Sequence, residues 1–270
     1  MLVIEKTYVG EIPLLHVVNR ELYEDQLPFI IFVHGFESAM ENNLHYAYLL
    51  ANKGFRVVLP EAINHGERNP GHSTQEMNIR FWETVTTTID ELQMIKEQFE
   101  RENKIDPDWI GLAGTSMGGI ITLGALTQFT WIKAAVSLMG MPYYEQFSQI
   151  QIQQLEKNGV MIPLSEKEKE EVFEHLRRYD LSRQPEKLAS RPLLFWHGVK
   201  DPVVPFTFSY KFYESILPLY EKEPDKIKFI RDERADHKVS REGVLQLVDW
   251  FSTHLLSSMT HVTAVSNNNE

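Results

Sequence analysis

Six short apolar runs recur along this 270-residue chain, and stretches with helical periodicity lie between most of them. The clearest run, Phe29-Ile30-Ile31-Phe32-Val33, is apolar without interruption. A strand with one wet face alternates polar and apolar side chains, so an unbroken run predicts a strand covered on both faces. Similar runs follow at Arg56–Leu59, Trp109–Ala113, Ala134–Met139, Pro192–Trp196 and Ile227–Ile230. Asn42–Lys53 is amphipathic and stops at Gly54, which suits the position just past a helix end. Between Glu76 and Asn103, the residues Trp82, Val85, Ile89, Leu92 and Phe99 mark one helical face. Val239–Leu256 repeats that pattern through Val244, Leu247, Val248 and Phe251. The alternation predicts an α/β fold, a mostly parallel sheet with helices on both faces. Ahead of it, Leu2–Tyr8 and Ile12–Val18 flank Gly10 and read as an antiparallel hairpin that opens the sheet.

One stretch breaks the rhythm. About fifty residues separate Met139 from Pro192, far more than an ordinary connection needs. They hold two helical patterns, Tyr143–Asn158 ending at Gly159, and Glu166–Arg178. The second opens with Ser165-Glu166-Lys167-Glu168, a capping box in which hydroxyl and carboxylate satisfy free backbone N–H groups. The expected organisation is a single domain over 1–256 with a small helical cap inserted at about 141–190. The polar, aperiodic Ser257–Glu270 is expected to be a flexible tail.

Composition narrows the function classes. A net charge of −11 argues against nucleic acid or an anionic membrane as partner, since both reward basic patches. The chain has no cysteine, which removes disulfides, thiolate metal sites and a cysteine nucleophile together. No run approaches the roughly 18 apolar residues of a membrane span. The first residues, Met1-Leu2-Val3-Ile4-Glu5-Lys6, lack the pattern of a secretory signal. The expected location is cytoplasmic.

The chemistry centres on Gly114-Thr115-Ser116-Met117-Gly118, followed by Gly119. A buried strand precedes it and an apolar helical stretch, Ile120–Phe129, follows at once. A serine between the two sits on a sharp turn with its hydroxyl standing free above the sheet, and small neighbours make room for that turn. A hydroxyl needs a base. Of ten histidines, His45 and His175 fall in helical patterns, His254 is late in the last helix and His261 is in the tail. His237 instead occupies the loop Arg231–Lys238, after the last strand run and at the sheet edge expected to carry Ser116. The base in turn needs a carboxylate to hold its tautomer. Asp201 follows the strand Leu193–Trp196 at the same edge; Asp232 and Asp236 are rivals from the histidine's own loop. Oxyanion donors are expected from the Met117 amide and from the Phe36 amide in His34-Gly35-Phe36-Glu37. His34 reads as a loop brace, as does the segment Glu61–Arg68, and His65 and Glu67 are too few for a zinc site.

The motifs H-G-F, G-T-S-M-G-G, H-G-x-K-D-P-V-V-P and A-D-H resemble those of α/β-hydrolases of the dienelactone-hydrolase and prolyl-oligopeptidase-like branch, especially its small bacterial carboxylesterases. The resemblance spans roughly residues 28–256. It implies an α/β-hydrolase fold, Ser116 as nucleophile, Asp201 as acid, His237 as base, and the Phe36 and Met117 amides as oxyanion donors. Dienelactone hydrolases proper use cysteine, so dienelactone is not the expected substrate.

The expected activity is hydrolysis of carboxylic esters with short to medium acyl chains through an acyl-enzyme, with no cofactor and no metal. The expected partner is a small-molecule ester. Met139, Met141, Tyr143, Tyr144, Phe147 and Val203 are candidates for an apolar pocket wall. Two other readings stand beside it: a small peptidase or amidase of the same fold, and a silent hydrolase fold that binds a ligand.

Overall fold

A computed structural model describes residues 1–157, 159–160 and 164–256. Eight strands form one sheet: β1 Leu2–Val9, β2 Ile12–Asn19, β3 Leu27–Val33, β4 Arg56–Pro60, β5 Ile105–Thr115, β6 Ala134–Leu138, β7 Leu193–Gly198 and β8 Ile227–Asp232. Their spatial order is β1-β2-β4-β3-β5-β6-β7-β8. β1 and β2 form the expected antiparallel hairpin, β2 runs antiparallel to β4, and every later pairing is parallel.

The unbroken apolar run of β3 lies at the middle of this sheet, buried throughout. Side chains of a strand alternate between faces. Phe29, Ile31 and Val33 therefore join the core on one face, and Ile30 and Phe32 the core on the other. On the first face lie α3 Phe81–Arg101 and α4 Met117–Gln128; on the second lie α1 Leu44–Ala51 and α8 Arg241–Phe251. The protein has the α/β-hydrolase fold.

The helical stretch beginning at Glu76 divides in two. A short α2, Thr74–Ile79, ends at Arg80, whose φ of −88° and ψ of 6° interrupt the helix before α3 begins. A capping box between Ser73 and Glu76 starts α2. In the insertion, α5 is Tyr144–Lys157 and α6 is Glu166–Arg177, the latter with the Ser165–Glu168 capping box. Arg177 holds the two together by a two-pronged contact with Glu145, Nε to Oε2 at 2.9 Å and Nη2 to Oε1 at 2.6 Å. Helix α7, Phe206–Ile216, follows β7 and has no counterpart in the periodicity analysis. A π-helical turn, Ser252–Leu256, continues α8. Among the described residues no helix is long and apolar enough to cross a membrane. Asn158 and the tail Ser257–Glu270 lie outside the described residues.

Candidate active site

Ser116 joins β5 to α4 with φ 53° and ψ −113°, a backbone region that residues with a side chain rarely occupy. The surrounding glycines make this turn possible. A Cβ on Gly118 would lie 2.0 Å from the Val33 carbonyl oxygen, and one on Gly114 would lie 2.4 Å from the Gly118 carbonyl carbon. The turn is pinned where it meets the sheet: Ser116 N–H donates to the Leu138 carbonyl at 2.8 Å, and Ile120 N–H to the Ser116 carbonyl at 2.9 Å.

Three residues from three loops converge at this edge. His237 Nε2 stands 2.8 Å from Ser116 Oγ, and His237 Nδ1 stands 2.7 Å from Asp201 Oδ2. An ionised carboxylate can only accept, so the imidazole proton belongs on Nδ1 and the Nε2 lone pair faces the serine hydroxyl. The Asp201 side chain is fully buried, while that of His237 retains 23% exposure. Burial acts to raise the Asp201 pKa. Hydrogen bonds from His197, from His237 and from the Val203 and Val204 amides outweigh it, and together they hold the carboxyl well below the ordinary range.

The rival carboxylates do other work. Asp232 Oδ1 accepts the amides of Arg234 and Ala235, each at 3.1 Å, and so shapes the turn that presents His237. Asp236 brings its backbone against the end of β7, where a Cβ on Gly198 would lie 2.3 Å from the Asp236 carbonyl oxygen. Backbone bonds from Val199 to Asp232 and from Lys200 to Ala235 tie the Asp201 and His237 loops together. His197 escaped the sequence analysis. It is buried, its Nε2 lies 2.9 Å from the Val204 carbonyl and 3.2 Å from Asp201 Oδ2, the same oxygen that meets His237.

The Phe36 loop lies against the serine turn: a Cβ on Gly35 would be 3.5 Å from Ser116 Cβ. Met117 is the first residue of α4. His34 sits beneath the loop, with Nδ1 2.8 Å from the Gly35 carbonyl and Nε2 3.1 Å from the Ala62 nitrogen and 2.8 Å from Glu61 Oε1. Arg68 reaches back to the Glu61 carbonyl and to Glu91. His65 packs its ring on His34 and Phe36, and Glu67 pairs with Lys6. Among the described residues no cluster of three or more ligating side chains could hold a metal.

A cavity of about 430 Å³ opens beside Ser116, walled by Phe36, Phe81, Ile120, Phe147 and Phe208 and by the Pro202–Pro205 stretch. Phe147 and Val203 line it. Four of the expected wall residues do not, and their placement corrects the expectation. Met139 and Met141 are buried where the chain leaves β6 and pack in the core. Tyr144 is fully buried, with its hydroxyl donating to the Ile120 carbonyl at 2.6 Å. Tyr143 packs its ring on Phe208 and Phe212. Proximity in sequence to the site placed them in the wall; the depth of the β6–α5 connection puts them behind it.

The chain matches the prolyl oligopeptidase family over residues 41–258. It is 51% identical over 255 residues to the Bacillus subtilis protein named "Putative esterase YitV", a match covering 94% of this chain and all of that one. It is 29% identical to Esterase YjfP of Escherichia coli over 94% of this chain and all of the relative. Among solved structures, TT1662 from Thermus thermophilus superposes with a TM-score of 0.73 at 19% identity, covering 94% of this chain and 98% of that one. That last likeness concerns the fold.

Proposed function

The chain belongs to the prolyl oligopeptidase family and is a serine hydrolase of the α/β fold; from that premise we propose that it is a carboxylesterase acting on small uncharged esters with short to medium acyl chains. The observation that carries this reading is the unbroken run of hydrogen bonds Ser116–His237–Asp201 at one rim of the cavity. In it, His237 takes the hydroxyl proton as Ser116 Oγ attacks the ester carbonyl. Asp201, kept ionised by its donors, holds the Nδ1–H tautomer and stabilises the imidazolium that forms. The amides of Phe36 and Met117 receive the developing oxyanion. His237 then gives its proton to the departing alkoxide, and water repeats the sequence on the acyl-enzyme to release the acid.

Helices α5 and α6 act as a cap over this site, and the aromatic wall of Phe36, Phe81, Phe147 and Phe208 favours an uncharged acyl group. The family's name supplies the second reading, cleavage of a peptide or amide bond. A panel of p-nitrophenyl esters and matched anilides separates the two. The expected result is turnover of esters, covalent labelling by a fluorophosphonate, and loss of both in Ser116→Ala. Faster turnover of anilides favours the peptidase; no label at Ser116 favours a silent binding fold.

A further inference from the structure

The cavity at Ser116 does not end the hollow space under α5 and α6. Asn78, Gln151 and Leu155 line it and equally line a second cavity of about 490 Å³, so the two adjoin across these side chains. Beyond them, Trp82 of α3, Ile152 of α5 and Val172 of α6 form the walls. Either volume alone falls within the range of small-molecule sites.

We propose that this second cavity is an acyl-chain chamber: it receives the apolar distal end of the substrate's acyl group, past Gln151 and Leu155, while the scissile carbonyl lies at Ser116. This rests on the esterase reading above and names the part of the substrate the chamber selects. The direction follows from the proton's path. His237 hands its proton to the leaving alcohol, so the alcohol lies toward His237 and the acyl group lies away from it. His237 follows β8 at the sheet's far edge, beyond β7. The second cavity is walled by α2, α3, α5 and α6 and takes no residue from the loops after β7 or β8. Helix α3 packs on β1, β5 and α4, toward the opposite side.

The chemistry of the wall fits an uncharged hydrocarbon. At its rim Arg80 is paired with Glu83 at 2.7 Å, and Glu76 is committed to the capping box with Ser73. Of the ionisable side chains in its wall, Arg80 and Glu83 thus offset one another and Glu76 is spent on its cap, while His72 adds an imidazole at one side. Trp82 supplies a fixed apolar surface, because its Nε1–H donates to Gln151 Oε1 at 2.8 Å and its ring lies against Tyr144 and Phe147. That bond also turns the Gln151 carbonyl oxygen toward α3 at the junction of the two cavities.

The test compares p-nitrophenyl acetate with p-nitrophenyl octanoate in wild type, Val172→Trp and Val172→Ala. Each methylene entering an apolar enclosure strengthens binding about fourfold. Filling the chamber with indole is therefore expected to lower the octanoate-to-acetate ratio of kcat/KM by about tenfold or more, and Val172→Ala to raise it or shift the optimum to a longer chain. Calorimetric binding of free octanoate to Ser116→Ala, with and without Val172→Trp, reads the chamber without turnover. If the ratio and the octanoate affinity both ignore Val172 while both variants melt as wild type does, the chamber is overturned and the esterase reading stands. If octanoate binding depends on Val172 but no ester is hydrolysed, the chamber stands and the esterase reading falls.

Discussion

Asp201 and His197 face each other inside the loop that follows β7, with His197 Nε2 3.2 Å from the Oδ2 oxygen that also meets His237 Nδ1. One carboxylate oxygen is thus held between two imidazoles, and the second oxygen accepts two backbone amides. Both neighbours of His197 Nε2 are acceptors, the Asp201 carboxylate and the Val204 carbonyl, so this nitrogen carries the proton. In the mechanism proposed above, His197 is accordingly a positioning residue: it holds the carboxylate that would orient the proposed base.

That role makes His197→Ala a graded lesion. Removing the ring deletes one of the four groups that hold Asp201 and should lower kcat/KM on p-nitrophenyl butyrate by about ten- to a hundredfold, the scale of a misplacement near 1 Å. His197→Gln carries a side-chain N–H that can reach the same acceptors and should recover most of the loss. Equal loss in both variants would show that the ring's packing, not its donor, matters.

Ser116→Ala probes the opposite end of the same chain of bonds. It should lower ester turnover by about 10³-fold or more and abolish fluorophosphonate labelling. The hydroxyl stands at a cavity rim, so the thermal midpoint should stay close to that of wild type. Labelling that persists would place the nucleophile elsewhere.

The pH dependence of stability gives a test that needs no substrate. The folded-state pKa of Asp201 is depressed below its unfolded value of about 3.9. Its ionised form therefore contributes stability above that unfolded value, and the contribution is lost as pH falls through the folded one. Wild type should exceed Asp201→Asn by about 2–4 kcal/mol at neutral pH, since several donors lose a charged acceptor. The gap, read from urea midpoints, should be level above about pH 5 and narrow toward pH 3. A gap that stays level to pH 3 would mean that the donors do not hold this carboxyl below its unfolded value, and one that widens as pH falls would mean that burial governs it.

What the sequence disclosed and what it hid divides along physical lines. The strands of the parallel core were legible because burial on both faces leaves unbroken apolar runs, as in Phe29–Val33. The partners of Ser116 were legible in outline because a parallel sheet brings the loops after β5, β7 and β8 to one edge. Helix α7 was not. Phe206, Phe208, Tyr210 and Phe212 alternate as in a strand, yet they form a helix whose Phe206, Tyr210 and Tyr213 meet Phe229 while Phe208 meets Tyr143 and Phe147. Aromatics on two helix faces erase the single stripe that periodicity detects. The division of Glu76–Asn103 at Arg80 was hidden too, because an apolar stripe says nothing of a local φ, ψ excursion.

Gly118→Ala tests the turn itself. Its new Cβ would meet the Val33 carbonyl oxygen at 2.0 Å, and that carbonyl belongs to the buried central strand. Neither backbone can yield without breaking the packing of the two, so the expected cost exceeds about 4 kcal/mol. The variant should accumulate as insoluble protein or unfold at markedly lower urea. A folded, active Gly118→Ala would mean the turn tolerates a separation that the present packing denies.

Tyr144→Phe separates a wall residue from a buried support. The Tyr144 hydroxyl donates to the Ile120 carbonyl in the first turn of α4, and a Cβ on Gly124 would lie 2.1 Å from it, so the ring is pressed between α4 and α3 with no access to the cavity. Burial raises its pKa well above the ordinary tyrosine value, so the group stays a neutral donor across the working range. Removing it deletes one buried hydrogen bond and little volume, a loss of about 1 kcal/mol. Thermal melting should register that loss, while kcat/KM for acetate, butyrate and octanoate esters should change by less than about twofold. A change that grows with acyl length would return Tyr144 to the pocket wall, because a residue behind the wall has no means of sensing how far the chain extends.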